Sequence, residues 1–141
     1  MIENMYSKNS SKTTVIVYLV STFFLIAFNA IYSLFGHGVT SPYMSFAFAF
    51  SLVLGVGSFI LLGILKLANR IAYNLYNAGI ATLTVGSVLR GIIEIAGADT
   101  IYPSIYFLVG TLFVVTGSLI YLSQWIQTRN ENPDMDLSRK P

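Results

Sequence analysis

Residues 13–65 read TTVIVYLVSTFFLIAFNAIYSLFGHGVTSPYMSFAFAFSLVLGVGSFILLGIL, a run that contains no formally charged residue. Its only polar interruption is the segment GHGVTSP at residues 36–42, whose glycine, serine and proline residues favour a turn. This turn leaves two apolar stretches, at about residues 14–35 and 43–65. Each is close to the roughly 20 residues that cross about 30 Å of hydrocarbon as an α-helix. The run therefore predicts two transmembrane helices joined by a short loop.

The second half of the chain carries two more apolar stretches of similar length. One covers about residues 71–96 and is interrupted only by Arg90 and Glu94, and the other covers about residues 104–126. Helices are required because a backbone in lipid must satisfy its own hydrogen bonds, and these stretches are too long and too uniformly apolar for barrel strands. We therefore expect an all-α membrane protein whose four transmembrane helices pack as a small bundle with short outer loops.

The composition supports a membrane protein and excludes several classes of site. The 141 residues are 55% hydrophobic and 10% charged, and the mean hydropathy of +0.69 is too high for an ordinary soluble domain. The absence of cysteine excludes disulfides, thiolate metal sites and cysteine nucleophiles, and the single histidine leaves little room for metal chemistry. A net charge of +2 without a basic patch gives no reason to expect nucleic-acid binding. We expect neither a cofactor nor a metal.

The positive residues outside the spans predict the orientation of the chain. All of them precede the first span, separate the second from the third, or follow the fourth: Lys8, Lys12, Lys66, Arg70, Arg129, Arg139 and Lys140. Because cytoplasmic flanks carry the positive excess, both termini should lie in the cytoplasm, with His37 and Asp99 in outer loops. We expect a cytoplasmic segment at residues 1–13, a membrane domain at 14–127 and a disordered cytoplasmic tail at 128–141. The cell membrane, inner or plasma, is the predicted location.

Small residues recur at helical spacing along the predicted spans. In membranes such residues let two helix backbones approach closely, so they mark the faces that pack against protein. The positions that we expect at helix contacts are Ser51, Gly55, Ser58, Gly79, Gly86, Gly110 and Gly117.

Arg90 and Glu94 are charged residues inside a predicted span, where a charge costs about 2.5 to 3.5 kcal/mol on insertion scales. Their spacing of four places them on one helix face, where carboxylate and guanidinium can pair. Ser87 lies on the same face, and Asn29 on the first span has a similar depth. We therefore predict an intramembrane polar cluster of Asn29, Ser87, Arg90 and Glu94. It could hold the helices together, form a substrate or ion site, or dock a polar group of a partner.

The sequence supports three classes of function. No set of catalytic residues is recognisable and the loops are short, which favours a non-enzymatic accessory or structural subunit that packs with partner membrane helices. An oligomeric small transporter or channel that uses Arg90 and Glu94 is the alternative, since four helices alone enclose little space. An enzyme acting on a lipid or quinone is the third. The expected partners are the lipid bilayer and either further copies of the chain or a larger membrane complex.

Overall fold

The computed structural model describes residues 2–65 and 69–131, with side chains for residues 12–62 and 69–130. All regular secondary structure in these residues is helical, and loops at 36–41 and 96–101 connect the helices. In chain order the elements are α1 (Ile2–Phe35), α2 (Pro42–Ala49), a π-helical segment (Phe50–Gly57), α3 (Ser58–Leu65), α4 (Arg70–Ile95) and α5 (Tyr102–Glu131). Because α2, the π-helical segment and α3 follow one another without a break, they form one long helix, which we call the second helix.

Four helices of the described chain are long and apolar enough to cross a membrane. They are Lys12–Phe35, Pro42–Leu62, Arg70–Ile95 and Tyr102–Asn130. Their surface is apolar as well, since Leu34 is 81% exposed and Phe23 is 73% exposed. Exposure of such side chains to water is unfavourable in free energy, whereas their exposure to the hydrocarbon of a bilayer is not. The prediction of an all-helical protein with four helices long and apolar enough to span a membrane is confirmed, and these helices fit a multi-pass membrane protein.

Helical structure extends beyond the predicted spans at both ends of the chain. α1 begins at Ile2, twelve residues before the predicted start at 14, and α5 runs to Glu131, past the predicted end at 126. Residues 2–13 contain no glycine or proline, and the first proline after Pro103 is Pro133, so nothing in the sequence stops either helix. Residues 128–131 are therefore helical, and the rest of the predicted disordered tail lies outside the described residues.

The ends of the helices follow from capping residues. The Asn69 side chain accepts hydrogen bonds from the backbone N–H groups of Ile71 at 2.9 Å and Ala72 at 3.1 Å, which caps α4. Pro42 is the first residue of α2 and follows Ser41, whose backbone is extended. Proline suits the first position of a helix because the N–H group that it lacks would have no partner within the helix. Gly97, at φ +73°, adopts the left-handed conformation that ends α4.

The π-helical segment distinguishes the second helix from the uninterrupted α-helix that the sequence suggests. The buried residues Ala47, Ser51, Gly55 and Phe59 are spaced by four. At about 100° per residue, an α-helix would rotate this series by about 40° at each step and turn Phe59 away from the protein. The wider π turn removes that drift, so one face stays buried along the whole helix.

Glycines set the contact between α4 and α5. A Cβ atom on Gly79 would lie 2.7 Å from the Val114 backbone nitrogen, and one on Gly110 would lie 2.7 Å from the Leu83 side chain. Further along, Gly86 lies against Tyr106 and Gly117 against Tyr76. These four glycines bring the two backbones close together over most of their shared length.

The second helix packs between α1 and α4. The Tyr18 ring of α1 lies on Gly55, where a Cβ atom would approach to 2.5 Å, and it stacks on Phe59 at 5.8 Å between ring centroids. On the other side Met44 occupies the surface of Gly91 in α4. The core beneath these contacts consists of Phe59, Ala72, Tyr76, Ile80 and Tyr121.

Candidate functional site

Arg90 lies near the end of α4 and has a partner for each nitrogen of its guanidinium group. Nε donates to Glu94 Oε1 at 3.1 Å and Nη1 donates to the Thr100 carbonyl at 2.9 Å. Nη2 lies 3.3 Å from Asp99 Oδ1. The guanidinium carbon also lies 5.6 Å from the centre of the Tyr43 ring, within cation–π distance. One side chain therefore joins α4 to α2 and to the loop that follows α4.

Glu94 connects the same region to the loop between α1 and α2. Its Oε2 accepts a hydrogen bond from the Ser41 hydroxyl at 2.5 Å, and Ser41 is buried. About two turns earlier on α4, the Ser87 hydroxyl donates to the Tyr43 carbonyl at 2.7 Å. We call the residues Ser41, Tyr43, Ser87, Arg90, Glu94, Asp99 and Thr100 the Arg90 cluster.

The predicted participation of Asn29 in this cluster does not occur. Among the residues that the structure describes, no hydrogen bond or ion pair joins Asn29 to Arg90 or Glu94. The reason is the order of the helices, because α1 packs chiefly on the second helix and not on α4. Met44, which lies on Gly91, belongs to that intervening helix.

The charges of the Arg90 cluster partly compensate one another. One guanidinium faces the carboxylates of Glu94 and Asp99, so the group carries an excess of one negative charge. The Arg90 side chain is 23% exposed and Glu94 29%, whereas Asp99 is 88% exposed. Because the ends of two loops reach these side chains, the ions stay close to water and their desolvation cost is reduced. This arrangement can hold two loops on one helix, and it leaves no guanidinium nitrogen unpaired.

A second polar region lies between α1 and α4, with the π-helical segment at its base. It is a partly open cavity of about 620 Å³. We call it the α1–α4 groove. Its lining consists of Thr13, Thr14, Val17, Tyr18, Ser21, Phe24, Leu25, Ser51, Tyr73, Asn77, Ala81, Thr84 and Val85.

Hydrogen bonds across the α1–α4 groove join the two helices near the starts of the first and third candidate spans. The Tyr18 hydroxyl donates to Asn77 Oδ1 at 2.6 Å, and the Thr14 and Tyr73 hydroxyls are also hydrogen-bonded. Asn77 Nδ2 donates to the Tyr73 carbonyl at 2.9 Å, which holds the amide in place. These hydrogen bonds therefore fix the positions of the polar side chains at this end of the groove.

Sequence reasoning did not find the α1–α4 groove, although a signal is present. Polar residues at 14, 18 and 21 share one face of α1, and residues 73, 77 and 84 share one face of α4. Each set alone resembles an ordinary polar stripe on a membrane helix. Only the tertiary structure shows that the two faces oppose each other.

A smaller cavity of about 250 Å³ lies between α3, α4 and α5 and is mostly apolar. At its edge the Ser58 and Tyr76 hydroxyls are 2.7 Å apart and hydrogen-bonded. No group of three or more potential metal ligands of the His, Cys, Asp or Glu type occurs within the described parts of the chain. Comparison with protein-family models, with curated proteins and with solved structures finds no match to this chain.

Proposed function

We propose that this chain is a non-enzymatic accessory or structural subunit of a membrane assembly, which packs against partner helices through α1. The partner is a second copy of the chain or another multi-pass protein. In this proposal the Arg90 cluster stabilises the fold. The protein lies in the inner or plasma membrane, and both of its termini face the cytoplasm.

Asn29 is the observation that carries this proposal. It is half-buried on α1, and it makes no hydrogen bond among the described residues. Asn29 lies one turn after Leu25, which is buried, and one turn before Ser33, which is exposed, so the amide lies where the packed face of α1 becomes exposed. An amide in hydrocarbon gains about 0.6 to 2 kcal/mol when it hydrogen-bonds to another helix. A polar group supplied by a partner would satisfy it.

The Arg90 cluster supports a structural role over the transporter alternative. Its cation is already paired with two carboxylates and a carbonyl, so a solute would have to displace contacts that join two loops to α4. The loops at residues 36–41 and 96–101 are also too short to hold a soluble active site. Both features favour the non-enzymatic subunit.

The proposed orientation draws support from the position of the basic residues. Hydrogen bonds between Thr14 and Tyr73 and between Tyr18 and Asn77 place the starts of the first and third spans at one end of the protein. Lys12 and Arg70 lie at that end. A positive excess there favours the cytoplasmic side.

The experiment is to purify the tagged chain from its native membrane in a mild detergent and measure the mass of the complex. We expect a mass above that of a monomer, and we expect Asn29→Leu to lower the association constant about three- to thirtyfold, as 0.6 to 2 kcal/mol implies. The matched control is Thr116→Val, which removes a hydroxyl that bonds only to its own helix, at the Leu112 carbonyl. A wild-type monomer, or an Asn29→Leu variant that assembles fully, would contradict the proposal.

A further inference from the structure

The α1–α4 groove changes in character along its length. One end is mostly polar, with Thr14, Tyr18, Tyr73 and Asn77 beside Val17. The other end is mostly apolar, with Phe24, Leu25, Ala81 and Val85 beside Thr84, whose hydroxyl donates to the Ile80 carbonyl of its own helix. From Thr14 to Leu25 the distance along α1 is about 16 Å at 1.5 Å per residue. A molecule that filled the groove would need a polar head and an apolar chain with a combined length of about 16 Å.

The groove is open along side chains of α1 and α4 that are exposed within the candidate spans. Val17 and Phe24 line it, yet they are 55% and 65% exposed, and Val85 on the opposite helix is 50% exposed. All three lie inside the candidate spans. A ligand could therefore enter sideways from the bilayer, as an amphiphile does.

Several hydrogen-bond donors in the groove remain available to a ligand. Ser21 and Ser51 form no hydrogen bond with any other described residue, and Asn77 Nδ2 uses its contact with Tyr73 for only one of its two hydrogens. Ser51 is 2% exposed and lies at the base of the groove. A buried hydroxyl such as that of Ser51 gains from an acceptor oxygen.

The head group should be uncharged, because no lysine, arginine, aspartate or glutamate lines the groove. Asn77 lies seven residues beyond Arg70, or about 10 Å deeper along α4. An anion at this depth would lose its hydration without gaining a counter-ion. A carbonyl oxygen accepts the same hydrogen bonds without that cost.

We propose that the α1–α4 groove binds an uncharged amphiphile with a carbonyl-bearing head and a single apolar chain, such as a prenylquinone or an acyl ester. Ser21, Ser51 and Asn77 donate to the carbonyl oxygens, and the chain lies along Phe24 and Val85. The volume of about 620 Å³ is in the range of small-molecule pockets. This binding does not depend on the proposed assembly through Asn29.

The test is a titration of the full chain in detergent, followed by native mass spectrometry. The probes are a benzoquinone with a decyl chain, monoolein as the acyl ester, and oleate as the anionic control. We expect saturable binding of one molecule of the quinone or of monoolein, and the stronger of the two identifies the head group. Failure of both to saturate would overturn the proposal.

Two variants test the location of binding. Ala81→Phe fills the groove and should weaken binding at least about tenfold, whereas Ala27→Phe, at another exposed alanine outside the groove, should not change it. The double variant Ser21→Ala/Ser51→Ala removes two donors with little change of shape and should weaken binding about tenfold. Binding that survives both changes would overturn the proposal.

The anionic control gives a further outcome. If oleate binds more tightly than the quinone and monoolein, and Arg70→Gln abolishes that binding, the proposal is overturned in favour of an anionic ligand.

Discussion

Arg90 shows how a single charged side chain can be kept inside an apolar chain. Its guanidinium group reaches Glu94, Asp99 and the Thr100 carbonyl, which lie within one turn of helix and a short loop. The spacing of Arg90 and Glu94 in the sequence predicts their pairing, and the two side chains are 3.1 Å apart. The contacts with Ser41 and Tyr43 could not be predicted in this way, because they depend on how the loop between α1 and α2 returns to α4.

Arg90→Leu should lower the free energy of unfolding in detergent by about 1 to 3 kcal/mol, because Glu94 and Asp99 would then face each other without a cation. Glu94→Leu should cost less, since Arg90 keeps Asp99 and Thr100. The double variant should lose less than the sum of the single changes. Thermal or chemical unfolding measures all three.

A suitable control for this series is Arg129→Leu. Arg129 is exposed and lies over Trp125 at 5.5 Å, so its removal should change stability by less than about 0.5 kcal/mol. Additive losses in the double variant would argue against coupling between Arg90 and Glu94. Normal stability combined with altered solute flux would favour the transporter alternative.

At the level of the helices, close packing at glycines and the π-helical segment decide which helix faces contact each other. The sequence already pointed to Gly55, Gly79, Gly86, Gly110 and Gly117 as residues for helix contacts. It did not point to Gly91, which lies beneath Met44. Nor did it predict the π-helical segment. The side chains of the second helix are apolar on nearly every side, so their pattern does not show whether a turn has the 3.6 residues of an α-helix or the larger number of a π-helix.

Gly79→Ala should destabilise the contact between α4 and α5 by about 1 to 3 kcal/mol, because the new methyl group would approach the Val114 backbone to 2.7 Å. The matched control is Gly57→Ala, where the nearest atom is the Leu52 carbonyl oxygen at 3.9 Å. That substitution should be neutral or slightly stabilising, because alanine favours a helix more than glycine does. Unfolding in detergent compares the two. Equal losses would show that tight packing of α4 on α5 is not the cause.

For the whole molecule, the main prediction concerns its orientation in the membrane. The chain has no native cysteine, so single cysteines can be placed at will. His37→Cys and Asp99→Cys should react with an impermeant thiol reagent only from outside the cell, because no lysine or arginine lies in those two loops. Asn130→Cys, beside Arg129, should react only after the membrane is permeabilised. The reverse pattern would contradict the proposed orientation and leave the fold unchanged.

The sequence by itself determined that the chain forms four apolar helices of membrane length, since long uncharged stretches have no other stable structure in lipid. It also indicated which charged residues could pair, because pairing at four residues is a local property of a helix. The tertiary structure alone decided which helix faces oppose each other. Lipid solvates every apolar face equally well, so the choice depends on the shapes of Gly55, Gly79 and Gly110 and on a few hydroxyl groups. For that reason no hydrogen bond joins Asn29 to Arg90 in the described part of the chain, and the α1–α4 groove lies between two faces that appear unrelated in the sequence.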